Sequence, residues 1–430
     1  MGLYQTKVEQ GFLEGTDQGD YAVYKGVPYA KPPVGDLRFC PPQKAESWTE
    51  VRKAVEFPSI AWQRPLAEGS FYEKEFYRGD DSLRNRSEDC LYLNIWTPAK
   101  KKEDGLPVLF WIHGGAFRQG FGHETEFDGK AYCERGVILV TIQYRLGVFG
   151  FLAHPWLEGG GGNLALQDQI MALRWVYDNI PNFGGDAHKI TVAGQSAGGV
   201  SVHALLCSPQ TKDMIHQAIM QSGGGYGQLE RRCRSKDEVM LIGKEFLKKC
   251  SIHSPEELQR IKAEDLLMLA DNYGLSCHLI VSADGDEEGL MPEAWLYREN
   301  TRGIACLMGS NKNDIRVTEE MLRNGVPSDL YTGNAEFAGH FGKNGNCYLY
   351  FFQHQLPGDD AGAFHSAELW YMFGTLHRSW RPFTEEDYKI SEKMLDAWCR
   401  FIKTGQPGRT EEEWSAYREK NPYVHVIGKA

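Results

Sequence analysis

The chain has 430 residues, of which 42% are hydrophobic and 24% charged, and its formal net charge is −11. This composition is ordinary for a globular protein with a large core, and the acidic excess argues against nucleic acid or an anionic membrane as the main partner. No stretch approaches the roughly 18 consecutive apolar residues of a membrane span. No secretory signal is expected, because the N-terminus lacks a basic segment followed by an apolar one.

The first third of the chain is predicted to be rich in β-strands. Strands are expected near residues 21–24 and 91–96, and continuous apolar runs follow at Pro107–Ile112 and Val137–Ile142. Runs of this kind suit strands that are buried on both faces of a parallel sheet.

Helices and strands alternate in the rest of the chain. Apolar spacing predicts a helix over Asn163–Asn179, and the β-type run Ile190–Ala193 precedes a helix from about Ala197 to Cys207. Two later strands and an amphipathic helix are predicted at Ile304–Met308, Tyr348–Phe352 and Glu385–Lys403. This alternation predicts an α/β fold with a doubly wound sheet, in one domain over residues 1–430 with cap insertions at about 225–300 and 315–345.

A serine between glycines, in Gly194-Gln195-Ser196-Ala197-Gly198, lies between a predicted strand and a predicted helix. The G-x-S-x-G pattern places a nucleophilic serine on a sharp strand-to-helix turn, and the glycines supply the small size that this turn requires. A structural turn is the alternative interpretation, but the strand and helix on either side favour a nucleophile.

A second glycine-rich turn, His113-Gly114-Gly115-Ala116-Phe117, follows the strand predicted to end at Ile112. Backbone N–H groups of such a turn, together with the N–H of Ala197, are suited to bind a developing oxyanion. A simple glycine turn is less favoured, because the two motifs occur in the order that an α/β-hydrolase needs.

A serine nucleophile also needs a base, and the base needs an orienting acid. His365, in a loop after the last predicted strand, is the favoured base among 13 histidines. His354 is the competitor, and His377 is a weaker one.

The favoured acid is Asp314, which follows the Ile304–Met308 strand in a loop at its C-terminal end. Loops at the carboxyl ends of strands are where such folds carry functional side chains. Asp286, Glu287 and Glu288, in a nearby acidic loop, remain as alternatives.

Together these motifs resemble the type-B carboxylesterase family, which includes bacterial para-nitrobenzyl-type esterases and cholinesterases. The resemblance covers most of the chain and also rests on residues 24–30, 87–94 and 179–186. It implies an α/β-hydrolase fold with a reduced helical cap and no cofactor or metal. The implied roles are Ser196 as nucleophile, His365 as general base, Asp314 as acid, and the N–H groups of Gly115, Ala116 and Ala197 as oxyanion hole.

Three departures from the family pattern bear on the substrate, on the position of the acid and on the cellular location. Gln195 replaces the glutamate of the usual G-E-S-A-G elbow, which removes a negative charge and argues against cationic choline-like esters. Asp314 stands where the family has a glutamate, so its loop must approach His365 more closely. Cys90 stands where secreted members form a disulfide, but the segment expected to hold its partner has no cysteine, which fits a reduced, cytoplasmic protein.

The sequence therefore predicts a serine carboxylesterase that acts on small to medium uncharged esters through an acyl-enzyme. A small-molecule ester is the predicted partner, and a monomer or small homo-oligomer is expected. An amidase or a lipase would use the same residues, and a non-catalytic binding protein on the same fold is the remaining alternative.

Overall fold

A twisted sheet of ten strands forms the centre of the computed structural model, which describes residues 2–78, 85–281, 304–341 and 345–429. In chain order, strands β1–β10 are Thr16–Asp17, Ala22–Pro28, Tyr92–Thr97, Leu106–Ile112, Ile138–Ile142, Gly185–Gln195, Gln217–Gln221, Ala305–Asn311, Cys347–Phe352 and Val424–Ile427. Their order across the sheet is β10-β9-β8-β7-β6-β4-β5-β3-β2-β1.

Strands β4 to β10 pair in parallel, and β1 to β3 are added antiparallel at one edge. The predicted mostly parallel α/β sheet is therefore confirmed. Because parallel strands carry their loops at one edge, the residues that follow β4, β6, β7 and β8 meet at the carboxyl end of the sheet.

Helices cover both faces of the sheet. Helices α1–α11 are Lys130–Cys133, Gly147–Phe151, Leu164–Asn179, Ala197–Leu206, Lys236–Lys249, Pro255–Arg260, Ala263–Tyr273, Glu319–Arg323, Asp329–Phe341, Glu368–Phe373 and Glu385–Thr404. Short strand pairs outside the central sheet involve Gln5–Val8, Gly11–Glu14, Arg52–Lys53, Ile60–Ala61, Arg86–Ser87, Cys233–Ser235 and Leu279–Val281. None of the helices in the described ranges is both long and apolar enough to span a bilayer.

Alternate side chains of β4 show how the core is divided. Val108, Phe110 and Ile112 pack into the cluster that contains the apolar residues of α3 and α4. Leu109 and Trp111 point to the opposite face and pack with residues of α10 and α11. This two-residue period of a strand explains why its sequence is apolar throughout: both faces are buried.

The segment predicted as an insertion at 225–300 is described as far as residue 281. It contains α5, α6 and α7, whose apolar residues form a separate small core with Phe149 and Leu152. In the second predicted insertion, 315–345, helix α9 packs against β8 and β9. The assignment of both segments as a cap stays a prediction.

A buried ion pair fixes the loop after β5 to helix α3. Arg145 and Asp168 are joined by contacts of 2.8 Å from Nε to Oδ2 and 2.6 Å from Nη2 to Oδ1, and their side chains are 3% and 0% exposed. The Arg145 backbone N–H also donates to Asp168, and its Nη1 donates to the carbonyl oxygen of Cys40. Each charged group of this pair thus contacts its counter-charge inside the protein.

Asp168→Asn is expected to lower the free energy of unfolding by about 3–5 kcal/mol, because it leaves the Arg145 guanidinium buried without its counter-charge. Urea unfolding followed by circular dichroism measures the change. The matched control is Glu134→Gln, which removes the exposed 3.9 Å contact of Lys130 with Glu134 and is expected to cost less than about 0.5 kcal/mol. Equal losses for the two variants would contradict the argument.

Candidate active site

The backbone at Ser196 is held in an unfavourable conformation between β6 and α4. Its φ is 55° and its ψ is −121°, a region that residues with a side chain rarely adopt. The Ser196 N–H donates to the carbonyl oxygen of Gln221 at 2.8 Å, and the N–H of Val200 donates to the Ser196 carbonyl at 3.0 Å. These two hydrogen bonds hold the turn in its strained conformation and place the serine at the end of the strand.

The glycines around Ser196 are required by close backbone contacts. A Cβ atom on Gly198 would lie 2.1 Å from the carbonyl oxygen of Ile112, and one on Gly194 would lie 2.5 Å from the carbonyl carbon of Gly198. Neither position has room for a methyl group. The sequence-based interpretation of this stretch as a tight strand-to-helix elbow therefore has a direct steric cause.

The turn after β4 lies directly against this elbow. A Cβ on Gly114 would come within 3.3 Å of the Ser196 Cβ, and Gly115 and Ala116 both have positive φ, at 92° and 55°. Ala116 is exposed. Ala197 is the first residue of α4, where the N–H has no partner within the helix.

Asp314, the predicted acid, contacts His365, the predicted base. Oδ1 of Asp314 lies 2.5 Å from Nδ1 of His365. Its Oδ2 accepts from the Ser222 hydroxyl at 2.7 Å and from the Asn311 N–H at 2.9 Å. Its side chain is fully buried, and the Ile315 N–H also donates to Oδ1 at 2.9 Å, so hydrogen bonds from four residues fix the carboxylate.

The environment of His365 favours its protonated form. Burial opposes the charge, but the charge and hydrogen bond of Asp314 and the charge of Glu368 outweigh it and raise the pKa of the imidazole. Since Nδ1 faces a carboxylate, it carries the proton in the neutral ring, and Nε2 then presents a lone pair. Nε2 is the atom that is able to accept a proton from a nucleophile.

Gln195 supplies the hydrogen-bond partner of that lone pair. Its amide Nε2 lies 3.2 Å from Nε2 of His365, and the residue is 2% exposed. An amide N–H is able to donate to a neutral imidazole, whereas a carboxylate at this position would need a proton from it. The glutamine at this position of the elbow therefore matches a neutral His365.

Glu368 is a component of the site that the sequence analysis missed. It is fully buried on α10, where Oε2 accepts from Asn311 Nδ2 at 2.5 Å and Oε1 accepts from Gln221 Nε2 at 3.3 Å. Burial raises its pKa to about 6. Its position three residues after His365, on the first turn of a helix, is the sequence signal that points to it.

The competing candidates are placed elsewhere. His354 Nε2 lies 2.9 Å from Asp387 Oδ1 on helix α11, and His377 is exposed. Asp286, Glu287 and Glu288 lie outside the described residues. Across the described ranges, no group of three or more His, Cys, Asp or Glu side chains is arranged to hold a metal ion.

A comparison with protein-family models matches this chain to the model described as the carboxylesterase family, over residues 4–329 and 328–430. The chain belongs to the carboxylesterase family. The para-nitrobenzyl esterase of Bacillus subtilis is 33% identical to it over 97% of this chain and 94% of that protein. Mouse carboxylesterase 1E is 31% identical, over 96% of this chain and 87% of that protein.

Solved structures agree with the family membership. A PNB esterase structure superposes with a TM-score of 0.85 at 30% identity, covering 98% of this chain and 95% of that one. A thermophilic PNB esterase gives the same TM-score at 31% identity, over 99% of this chain and 96% of the other. The predicted α/β-hydrolase fold is confirmed by these neighbours.

A pH dependence follows from the His365 environment. The base accepts a proton only when neutral, so kcat/KM is expected to fall as the pH drops through a His365 pKa that lies above its ordinary value. Gln195→Glu adds a carboxylate beside Nε2 and is expected to move this acid limb upward by about 1–3 pH units. Initial rates on a neutral ester between pH 5 and 9, a range set by the ordinary histidine pKa of about 6.5, measure the limb.

The matched control is Gln195→Met, which removes the amide N–H without adding charge. Its acid limb is expected to stay within about half a unit of the wild type, since Asp314 and Glu368 still act on the imidazole. Tyr72, which donates to the His365 carbonyl oxygen at 3.3 Å, stays neutral in this range because burial raises its pKa. An unshifted limb in an active Gln195→Glu enzyme would contradict this assignment of the base.

Proposed function

We propose that this chain hydrolyses carboxylic esters through an acyl-enzyme formed on Ser196. The observation that carries the proposal is the convergence of the strained Ser196 turn, the Gly115–Ala116 turn and the 2.5 Å contact between Asp314 and His365 at one edge of the sheet. Membership of the carboxylesterase family supports the same chemistry.

In the first half-reaction, the Ser196 hydroxyl takes the place of the Gln195 amide at Nε2 of His365, attacks the ester carbonyl carbon and passes its proton to that nitrogen. The negative charge on the carbonyl oxygen is bound by the N–H groups of Gly115, Ala116 and Ala197, which are positioned before the reaction begins. His365 then protonates the leaving alcohol as the tetrahedral intermediate collapses. Asp314 holds the ring with Nδ1–H toward it and stabilises the imidazolium that forms.

In the second half-reaction, water attacks the acyl-enzyme, with His365 taking its proton. The carboxylic acid leaves and the Ser196 hydroxyl is restored. The serine is released in its original protonation state, so the cycle consumes one water and one ester and needs no cofactor or metal.

We also propose a cellular location and an oligomeric state. Cys90 is buried and forms no disulfide, which supports the proposal of a reduced, cytoplasmic enzyme. We place it there as a monomer or small homo-oligomer that acts on dissolved small to medium esters. Fractionation of the source cells and light scattering of the purified chain test these two points.

Ser196→Ala is expected to abolish hydrolysis of 4-nitrophenyl butyrate, because no other described group replaces the nucleophile. Asp314→Asn is expected to lower kcat by roughly 10³–10⁴, since an amide no longer favours the required imidazole tautomer or its charged form. Initial rates of released 4-nitrophenol measure both effects.

The control for these variants is Ser201→Ala, which removes a buried hydroxyl on the same helix as Ser196. That hydroxyl accepts from Gln169 at 3.0 Å and is not part of the proposed site, so near-normal activity is expected. An active Ser196→Ala enzyme would overturn the mechanism. An inactive Ser196→Ala with a nearly normal Asp314→Asn would move the acid to the 286–288 loop.

A further inference from the structure

Three arginines lie on loops that flank the proposed site. Arg118 follows the turn that carries Ala116, and Arg316 is two residues beyond Asp314; both side chains are exposed. Arg232 lies on the segment after β7, partly buried, with its guanidinium carbon 5.8 Å from the ring centre of Phe117. Three loops that are far apart in sequence thus carry positively charged residues at the carboxyl edge of the sheet.

The Phe117 neighbourhood connects these arginines to the site. Phe117 is the residue after Ala116, whose N–H is a proposed oxyanion donor, and its carbonyl oxygen lies 3.8 Å from the Cys277 sulfur. The Arg118 guanidinium donates to the carbonyl oxygen of Leu275 in the same neighbourhood. Arg232 therefore sits beside the turn against which the reacting carbonyl would be held.

In the described part of the chain, every carboxylate that pairs with an arginine contacts an arginine other than these three. The ion-paired arginines are Arg38, Arg64, Arg135, Arg145, Arg231, Arg378 and Arg381. The residue next to Arg232 differs from it in this respect, because Nη2 of Arg231 lies 3.0 Å from Oδ2 of Asp329. Arg118, Arg232 and Arg316 make no such pair with any described acidic residue.

Like charges crowd Arg232. Burial lowers the pKa of its guanidinium; Cys277 raises it, and the positive charges of Arg316 and Arg118 lower it further. Holding a partly buried cation next to two others costs free energy unless an anion joins them. The grouping also opposes the net charge of −11 on the whole chain.

We propose that Arg232, assisted by Arg118 and Arg316, binds a carboxylate on the substrate, so that monoesters of dicarboxylic acids are preferred over their uncharged analogues. A guanidinium group matches a carboxylate with two parallel hydrogen bonds. Uncharged esters gain nothing from these groups and are the lesser substrates. The neutral Gln195 leaves the elbow without a side chain that would repel an anion. The inference rests on the proposed esterase function.

The test compares esters that differ only in a terminal carboxylate. Monoethyl succinate, glutarate and adipate are paired with ethyl butanoate, pentanoate and hexanoate, and hydrolysis is followed by pH-stat titration. The measured quantity is the ratio of kcat/KM for each anionic ester to that for its neutral partner. Variants are Arg232→Met, the double variant Arg118→Met/Arg316→Met, and the control Arg231→Met, which alters the neighbouring arginine that pairs with Asp329.

For the best chain length, the wild-type ratio is expected to exceed one and to decline as NaCl is added, because salt screens the charges. Arg232→Met is expected to lower the ratio about tenfold, mainly by raising KM for the anionic ester. A tenfold change is the effect typical of a lost charge-assisted hydrogen bond. The double variant is expected to lower it about threefold, and Arg231→Met to leave it unchanged.

A wild-type ratio below one at every chain length, or an unchanged ratio in Arg232→Met, overturns the inference. If Arg232→Met fails to fold by circular dichroism, the double variant decides, because both of its residues are exposed, and an unchanged ratio there is then the contrary result. A wild-type enzyme that hydrolyses 4-nitrophenyl butyrate but neither series also overturns the inference, whereas one that hydrolyses none of these esters refutes the proposed function instead, which separates the two failures.

Discussion

The site depends on the close packing of four backbone segments where β4, β6, β7 and α4 meet. The carbonyl oxygen of Ile112 leaves no space for a Cβ on Gly198, and the carbonyl oxygen of Ser196 lies 2.0 Å from where a Cβ of Gly223 would stand. With no side chains between them, these segments hold Ser196 in a strained conformation that a looser turn would relax. The same packing brings the Gly115–Ala116 turn next to the serine, so strain at one residue and preorganised N–H groups at its neighbours have a common cause.

Charge at the site is arranged around one imidazole. Asp314 and Glu368 favour its protonated form, while burial and the neutral amide of Gln195 favour the neutral ring. A general base works best when these tendencies nearly balance, because it must be neutral before the attack and charged immediately after it. Glu368 is held by Asn311 and Gln221, and Gln221 in turn accepts from the Trp398 indole N–H at 3.2 Å. The network extends from the base into the core, which fixes the carboxylates on which the balance depends.

The parts of the site that depend on short-range geometry could be predicted from the sequence. The elbow and the turn after β4 are encoded within a few residues each, because steric limits act between neighbours. Contacts between distant segments are harder to predict: the spacing from His365 points to Glu368, but its contacts with Asn311 and Gln221 do not follow from any local pattern, and the three arginines come from separate loops. Strand β6 begins at Gly185, earlier than its apolar run suggests, because polar residues between 186 and 189 continue it through a register shift opposite β4. Local pattern gives the elements, whereas tertiary packing sets their ends and their partners.

Trapping the covalent intermediate is the most direct test of whether Ser196 is acylated. The enzyme is mixed with excess 4-nitrophenyl butyrate, quenched in acid within milliseconds, digested and analysed by mass spectrometry. We expect a butyryl group on the peptide that contains Ser196, formed with a burst of 4-nitrophenol, and none on that peptide in Ser196→Ala. A butyryl group found on another residue, or steady turnover from an enzyme that carries no acyl group at any time point, would contradict this expectation.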